Sequence, residues 1–366
     1  MCLHSIAASE ALARLGVFDA VIDARSESEF AEDHLPHALN WPSLNDQERQ
    51  VIGTIYKQVN SFEARKRGAA LVAANIGRHI ERELIDKPKA WQPLVYCWRG
   101  GKRSGALALV LDQIGFRVSV VEGGYKAFRA AMLADLLLRV PLLSYQVICG
   151  PTGSGKTRLL HALATLGAQV LDLEGLAQHR SSVLGIIPGQ PQPTQKRFDN
   201  LVWQRLCSFD PRRPVFVESE SKKVGNVAVP EGLMSVMRAS PCWRLELSRA
   251  ERVRLLLEDY EFFVKDPALF CSRLDALCAA RGRSVVEQWK ALVAQGRFEE
   301  VVQDLLLRHY DPGYASSTRR NFALFEQATL VAPGDRSAQA MLHAARQMLQ
   351  VLGESAGGAL PSALPL

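Results

Sequence analysis

The chain has 366 residues, of which 48% are hydrophobic and 22% charged, enough to bury two or three packed cores and too apolar for an intrinsically disordered protein. Lysine and arginine outnumber acidic residues 44 to 38, a mild excess that suits a polyanionic partner but lacks the pronounced bias of a dedicated nucleic-acid-binding domain. Seven scattered cysteines, with no C-x-x-C and no Cys/His zinc spacing, exclude a disulfide scaffold and point to a reducing compartment. Met1-Cys2-Leu3-His4-Ser5 lacks the basic-then-apolar pattern of a secretory signal, and the apolar run 131–143 is interrupted by Asp135, Arg139 and Pro141. No membrane span is expected, and the predicted location is cytoplasmic.

In chain order, residues 1–130 are expected to form a first α/β module. Residues 46–85 of that module read as a helical insertion, whose basic stretch Arg65-Lys66-Arg67 either meets nucleic acid or is solvated surface. Residues 94–97 form a short apolar strand after Pro93, and residues 104–111 read as a helix, so Cys97 falls at a strand-to-helix turn. Residues 131–144 connect to a second module, through a helix over 127–139 that ends at Pro141. The core of that module is placed at 145–247, with strands at 145–149, 168–171 and 214–217 and a long Pro/Gly/Gln loop at 187–194 that could act as a lid. From Ser248 apolar residues recur at helical spacing, which predicts a helical region over 248–350. There Tyr260, Phe262, Phe263 and Trp289 read as core residues rather than base-stacking platforms. Residues 351–366, rich in Gly, Pro and Ala, are expected to be disordered.

Two loops carry chemistry. Gly150-Pro151-Thr152-Gly153-Ser154-Gly155-Lys156-Thr157 fits the phosphate loop G-x-x-x-x-G-K-[ST], and it sits between a buried strand and a helix as that motif requires. The backbone N–H groups around Gly150, Gly153, Ser154 and Gly155 would converge on phosphate oxygens, Lys156 would reach the terminal phosphates, and Thr157 would hold Mg2+. Partner carboxylates are sought at strand ends: Glu218 and Glu220 after the strand 214–217, and Asp172 and Glu174 after 168–171. These four are candidates for metal or substrate contact, with solvated loop carboxylates the alternative. The motif leaves the metal, and the nucleotide or pyrophosphate nature of the ligand, open. In the other loop, Cys97-Trp98-Arg99-Gly100-Gly101-Lys102-Arg103, backbone N–H groups and the cations Arg99, Lys102 and Arg103 would lower the thiol pKa and hold an anion. A buried inert thiol is the bland alternative, disfavoured by so many nearby charges.

The flanking segments carry a pattern. Val21-Ile22-Asp23-Ala24-Arg25-Ser26-Glu27-Ser28-Glu29-Phe30 with Asp33-His34-Leu35-Pro36-His37-Ala38, and later Glu122-Gly123-Gly124-Tyr125-Lys126-Ala127-Phe128, resemble the signatures that open and close rhodanese domains. Cys97 and Arg103 are spaced C-x5-R, a span also used by phosphatase loops and roomier than the shortest sulfur-transfer loops. A rhodanese-like module followed by a P-loop module resembles the tRNA 2-selenouridine synthases. The resemblance extends to Asn45-Asp46-Gln47-Glu48-Arg49, Gly53-Thr54-Ile55-Tyr56-Lys57, Asp172-Leu173-Glu174-Gly175, Val217-Glu218-Ser219-Glu220-Ser221 and His309-Tyr310-Asp311-Pro312-Gly313-Tyr314. Ser181 stands where that family would have glycine.

The resemblance implies an α/β fold with a rhodanese-like parallel sheet, a P-loop α/β domain and a C-terminal helical segment. It implies an enzyme that converts 2-thiouridine at the wobble position of tRNA to 2-selenouridine. Geranyl diphosphate would alkylate the sulfur, and selenium from selenophosphate would then displace it, with Cys97, Arg99 and Arg103 at the selenium-handling site. An enzyme that produces selenophosphate would be a further partner. The residues alone leave two other classes open. One is a P-loop kinase or ATPase with a rhodanese-like sulfurtransferase or phosphatase-like module, marked by ATP turnover without RNA. The other is a non-catalytic scaffold, which would tolerate alanine at both Cys97 and Lys156. If tRNA visits both loops, a continuous basic surface joining them is expected.

Overall fold

The computed structural model describes residues 4–353, which divide into two compact units between Leu136 and Leu137. The first unit is built on five short strands, β1 (His4–Ile6), β2 (Ala20–Asp23), β3 (Ala38–Asn40), β4 (Pro93–Tyr96) and β5 (Ser119–Val121). They pair in the order β1-β5-β4-β2-β3, all parallel. The central strand β4 is buried at every position, as a parallel strand covered on both faces should be, and its apolar run carries that signal. Ile22 and Val95 of the sheet pack with Leu107 and Leu111 of the helix Lys102–Ile114 and with Trp41, Trp91 and Phe116.

The insertion is a hairpin of two helices, Asp46–Gln58 and Ser61–Glu83. The break between them has a local cause: Asn60 is extended, and its side chain accepts from the Phe62 and Glu63 N–H groups, which starts a new helix. Asn45 and Glu48 form a reciprocal capping box at the start of the first. The unit ends in the helix Gly124–Arg139, which runs on as a 3-10 turn, Val140–Leu142, containing Pro141.

The second unit holds β6 (Tyr145–Cys149), β7 (Gln169–Leu171), β8 (Val215–Glu218), the small antiparallel pair β9 (Lys223–Val224) and β10 (Val227–Ala228), β11 (Cys242–Leu245) and β12 (Thr329–Val331). The main sheet has the order β12-β11-β6-β8-β7 and is parallel throughout. β6 lies where the strand order reverses, the place at which open α/β sheets put ligands beyond the carboxyl ends of their strands. Leu159, Leu160 and Leu163 of the helix Lys156–Thr165 pack with Phe216 and with Met341, Ala344, Ala345 and Met348 of the helix Ala338–Val351.

A second core, under the helices that follow β11, contains Phe263, Phe270, Leu274, Val286, Trp289, Val293, Val301 and Leu305. Phe263 and Trp289 are therefore core residues, and the Trp289 indole N–H donates to Asp304 at 2.7 Å. Tyr260 and Phe262 pack against this core from its edge, and Tyr260 also lines the cleft described below, with the Arg180 guanidinium 4.9 Å from its ring centroid.

The region 248–350, expected to be helical, also supplies an edge strand and a packing helix to the phosphate-loop sheet, so that sheet does not end at 247. β12 has only three residues, two of them exposed, too short for a periodic pattern to announce it. Val351 is the last residue of its helix, and 354–366, the bulk of the expected disordered tail, lies outside the described residues.

Candidate active sites

Cys97 follows β4 directly and is almost wholly buried, at 3% exposure. Its Sγ accepts from the Ser104 hydroxyl at 3.1 Å and from the Gly101 N–H at 3.3 Å. Burial pushes the thiol up, but these hydrogen bonds and those from the Ser104 and Arg99 backbone outweigh it and hold Cys97 below its ordinary value. The loop keeps its shape because the next helix closes on it: the Tyr125 and Lys126 N–H groups donate to the Cys97 and Trp98 carbonyls at 2.8 and 3.1 Å. Gly124 is at φ +57°, and a Cβ there would lie 2.2 Å from the Cys97 carbonyl oxygen, so no larger residue fits.

Beneath the loop, buried Arg25 pairs with Asp23 at 2.6 Å, donates to the Asp33 carbonyl at 2.6 Å and lies 4.1 Å from the centroid of the Tyr125 ring. Tyr125 in turn donates to Asp33 at 2.7 Å. The opening and closing rhodanese signatures thus meet in one buried polar network.

The three proposed residues of this loop separate in the structure. Arg99 is exposed at the rim, with its backbone turned toward the sulfur. Arg103 is half-buried and forms a bidentate pair with Glu29, at 2.6 and 3.3 Å. Glu29 sits below its ordinary value: burial raises it, and Arg103 more than compensates. Arg103 therefore ties the loop helix to the segment after β2. Glu29 and Ser104 were the residues that motif reasoning did not supply.

In the second unit, the phosphate loop rims a cleft of about 900 Å³. Gly155 caps the helix Lys156–Thr165, whose N-terminus faces the loop. Lys156 Nζ donates to the Gly150 carbonyl at 2.8 Å, folded over the loop it belongs to. The hydroxyl of Ser154 is buried and makes no protein hydrogen bond. Thr157 Oγ1 lies 3.3 Å from both Glu174 and Glu218.

Glu174, Glu218 and Glu220 present carboxylate oxygens within 4.8 Å of one another. Burial, then repulsion from Glu220, pushes Glu174 up to about 8. Burial and repulsion from Glu218 do the same to Glu220, and Glu218, fully buried, is raised well above the carboxylate range. Such a set of hard oxygen donors beside a phosphate loop suits a divalent cation.

Asp172 lines the same cleft and adds to the repulsion on Glu174 and Glu218, but lies outside the cluster of the three glutamates. It caps the helix Leu173–Ala177 by accepting from the Gly175 N–H at 2.7 Å, and its other oxygen is 3.1 Å from His161 Nε2, which raises the histidine. Ser181, the residue standing in a glycine position, adopts φ +43°, a left-handed conformation that costs a serine some strain. Its hydroxyl donates to Glu220, a contact glycine cannot make.

Fold and site together define a rhodanese-like domain, with a buried thiol that accepts hydrogen bonds from the loop after it, followed by a P-loop domain whose cleft gathers buried carboxylates. Residues 7–131 match the model of the rhodanese-like domain, and residues 143–271 match the model described as the tRNA 2-selenouridine synthase AAA domain. The tRNA 2-selenouridine synthase of Nitrosomonas europaea is 36% identical over 247 residues, covering 66% of this chain and 63% of that protein. That of Shewanella halifaxensis is 33% identical over 264 residues, 71% of each. A solved rhodanese-related protein from Thermoplasma volcanium is 18% identical, with a TM-score of 0.23, over 34% of this chain and 89% of that one. The chain belongs to the tRNA 2-selenouridine synthase family, and it spans just under two thirds of the length of the Nitrosomonas relative. Among the described residues no helix is long and apolar enough to cross a membrane.

Proposed function

We propose that this chain converts wobble 2-thiouridine in tRNA to 2-selenouridine, with alkylation at the phosphate-loop cleft and selenium chemistry at Cys97. The observation that supports it best is the pairing, in one chain of this family, of a phosphate loop rimming a cleft with a buried thiol held below its ordinary pKa.

In the first step the thiouridine sulfur attacks C1 of geranyl diphosphate, the C–O bond breaks, and the charge of the departing diphosphate falls on the loop N–H groups and Lys156. A divalent cation, Mg2+ by its preference for oxygen, would be held by Thr157 with Glu174, Glu218 and Glu220, and would neutralise part of that charge. In the second step the selenium of selenophosphate adds to C2 of the base, the C–S bond breaks so that the S-geranyl group leaves and takes up a proton as geranyl thiol, and water cleaves the Se–P bond to release phosphate. The Cys97 loop receives the selenophosphate: its N–H groups and Arg99 bind the oxyanion, and the thiolate handles the selenium. Arg103 contributes by fixing the loop through Glu29. The protein works in the cytoplasm and depends on an enzyme that produces selenophosphate.

Mass spectrometry of wobble nucleosides tests the reading. Cells lacking this protein should retain 2-thiouridine and lose both the S-geranyl and the seleno forms. Unchanged nucleosides, with ATP turnover by the purified protein in the absence of RNA, would favour a kinase-like function instead.

A further inference from the structure

The phosphate loop is not held by its own strand and helix alone. Arg252, in the helix Arg249–Asp259, is nearly buried, with 8% of its side chain exposed. Its Nε and Nη2 both donate to the Thr152 carbonyl oxygen, at 2.9 and 2.7 Å. The same guanidinium donates through Nη1 and Nη2 to the two carboxylate oxygens of Asp311, at 3.1 and 2.5 Å. Asp311 begins the helix Asp311–Asn321, straight after a π-helical segment, Leu306–Tyr310. Local widening of this kind gathers at functional sites.

The consequence follows from peptide geometry. A trans peptide is planar, so its C=O and N–H point in opposite directions. The structure has no cis peptide among the described residues, so a Thr152 carbonyl pinned on one side turns the Gly153 N–H to the other. Gly153 sits at φ +75°, and a Cβ there would lie 2.9 Å from Leu256 and 3.1 Å from the Arg252 carbonyl, so the helix bears directly on this peptide. Thr152, Gly153 and Ser154 all line the cleft.

We propose that Arg252, oriented by Asp311, is a positioning residue that locks the Thr152–Gly153 peptide with its N–H directed at the bound diphosphate. The proposal rests on the reading of this loop as a diphosphate site. Arginine is required because one planar fork serves a carbonyl and a carboxylate at once, which the single ammonium of lysine does not reproduce. Asp311 offsets the guanidinium charge, so the lock acts through geometry rather than by adding a cation to the site.

Calorimetric titration of the full-length protein with inorganic pyrophosphate is the test, with Arg252→Lys, Arg252→Met and Asp311→Asn compared at matched circular dichroism. Pyrophosphate affinity should fall about tenfold to a hundredfold in both Arg252 variants, the scale of one hydrogen bond to a charged acceptor, and less in Asp311→Asn. With geranyl diphosphate as substrate the loss should appear mainly in KM, and affinity for tRNA should hold. Wild-type affinity in Arg252→Lys would show that charge suffices and would overturn the lock, as would a folded Arg252→Met with unaltered pyrophosphate binding. If Arg252→Met does not fold, Asp311→Asn decides by the same measure. Absence of pyrophosphate binding to the wild type would instead overturn the reading of the loop.

Discussion

Replacing Ser104 with alanine tests what holds the Cys97 thiol below its ordinary value. The Ser104 hydroxyl donates to Sγ at 3.1 Å, closer than the Gly101 N–H at 3.3 Å, and it is the largest of the hydrogen-bond contributions that lower the thiol, ahead of the backbone N–H groups. Ser104 is wholly buried and Cys97 is 3% exposed, so solvent does not replace the lost donor. A hydrogen bond to a charged group contributes about 1.5–3 kcal/mol. At about 1.4 kcal/mol per factor of ten, the thiolate population near neutral pH should fall roughly tenfold to a hundredfold. The assay is alkylation by iodoacetamide from pH 5 to 10, followed by mass spectrometry of the peptide that carries Cys97, which separates it from the other cysteines. The wild-type profile should rise below the ordinary cysteine range, and that of Ser104→Ala should lie at higher pH with the same plateau. Stability carries the same sign. A depressed folded-state pKa means that the unfolded chain holds the extra proton, so this contribution grows as pH climbs from the folded value to the ordinary one and is lost as pH falls back through the folded value. The Ser104→Ala variant should show a smaller rise of Tm over that window. Superimposable alkylation profiles would refute the assignment of the low pKa to this hydrogen bond.

Cys97→Ser should abolish seleno-product while S-geranylation of thio-tRNA continues, measured by nucleoside mass spectrometry; equal loss of both steps would contradict the division of labour between the two loops. Lys156→Ala removes the main charge opposing the departing diphosphate, so alkylation should slow by about a hundredfold or more, and activity within a few fold of wild type would assign the loop to another ligand. Affinity for tRNA, followed from about 50 to 200 mM salt, should fall on the order of a thousandfold if six to ten phosphates are contacted. Charge reversal at Arg65, Lys66 and Arg67 should flatten that response, and a flat response in the wild type would speak against RNA binding.

What could be read from the chain depended on how local the signal was. The strand Tyr145–Cys149, the phosphate loop and the helix after it lie within one stretch of sequence, so spacing alone located them. The turn at Cys97 was legible for the same reason. The break in the insertion was not, because one capping asparagine, Asn60, divides it into two helices without a proline or glycine to announce the change. Arg103 read as an anion ligand because its partner, Glu29, lies far back in the sequence. Asp172 lines the cleft as its place after a strand suggested, but that place could not show that it also caps the next helix and pairs with His161. The clustering of Glu174, Glu218 and Glu220 needed the parallel pairing of β7 with β8, a long-range fact that no window of sequence contains.

The edge strand β12 and the helix Ala338–Val351 bring the far end of the described chain back onto the sheet that carries the phosphate loop. During synthesis the two halves of this protein therefore mature on different schedules. The rhodanese-like unit has all its strands once β5 and the following helix have emerged, so its thiol site can assemble while the ribosome is still at work. The phosphate-loop sheet waits for residues 329–351, which supply its edge strand and the helix packed against Leu159, Leu160 and Leu163. Such late, non-local closure is slow. Until it is complete, β11 presents an open edge and Leu159, Leu160 and Leu163 lack the helix that covers them, which makes the nascent second half the part of this protein most exposed to mispairing.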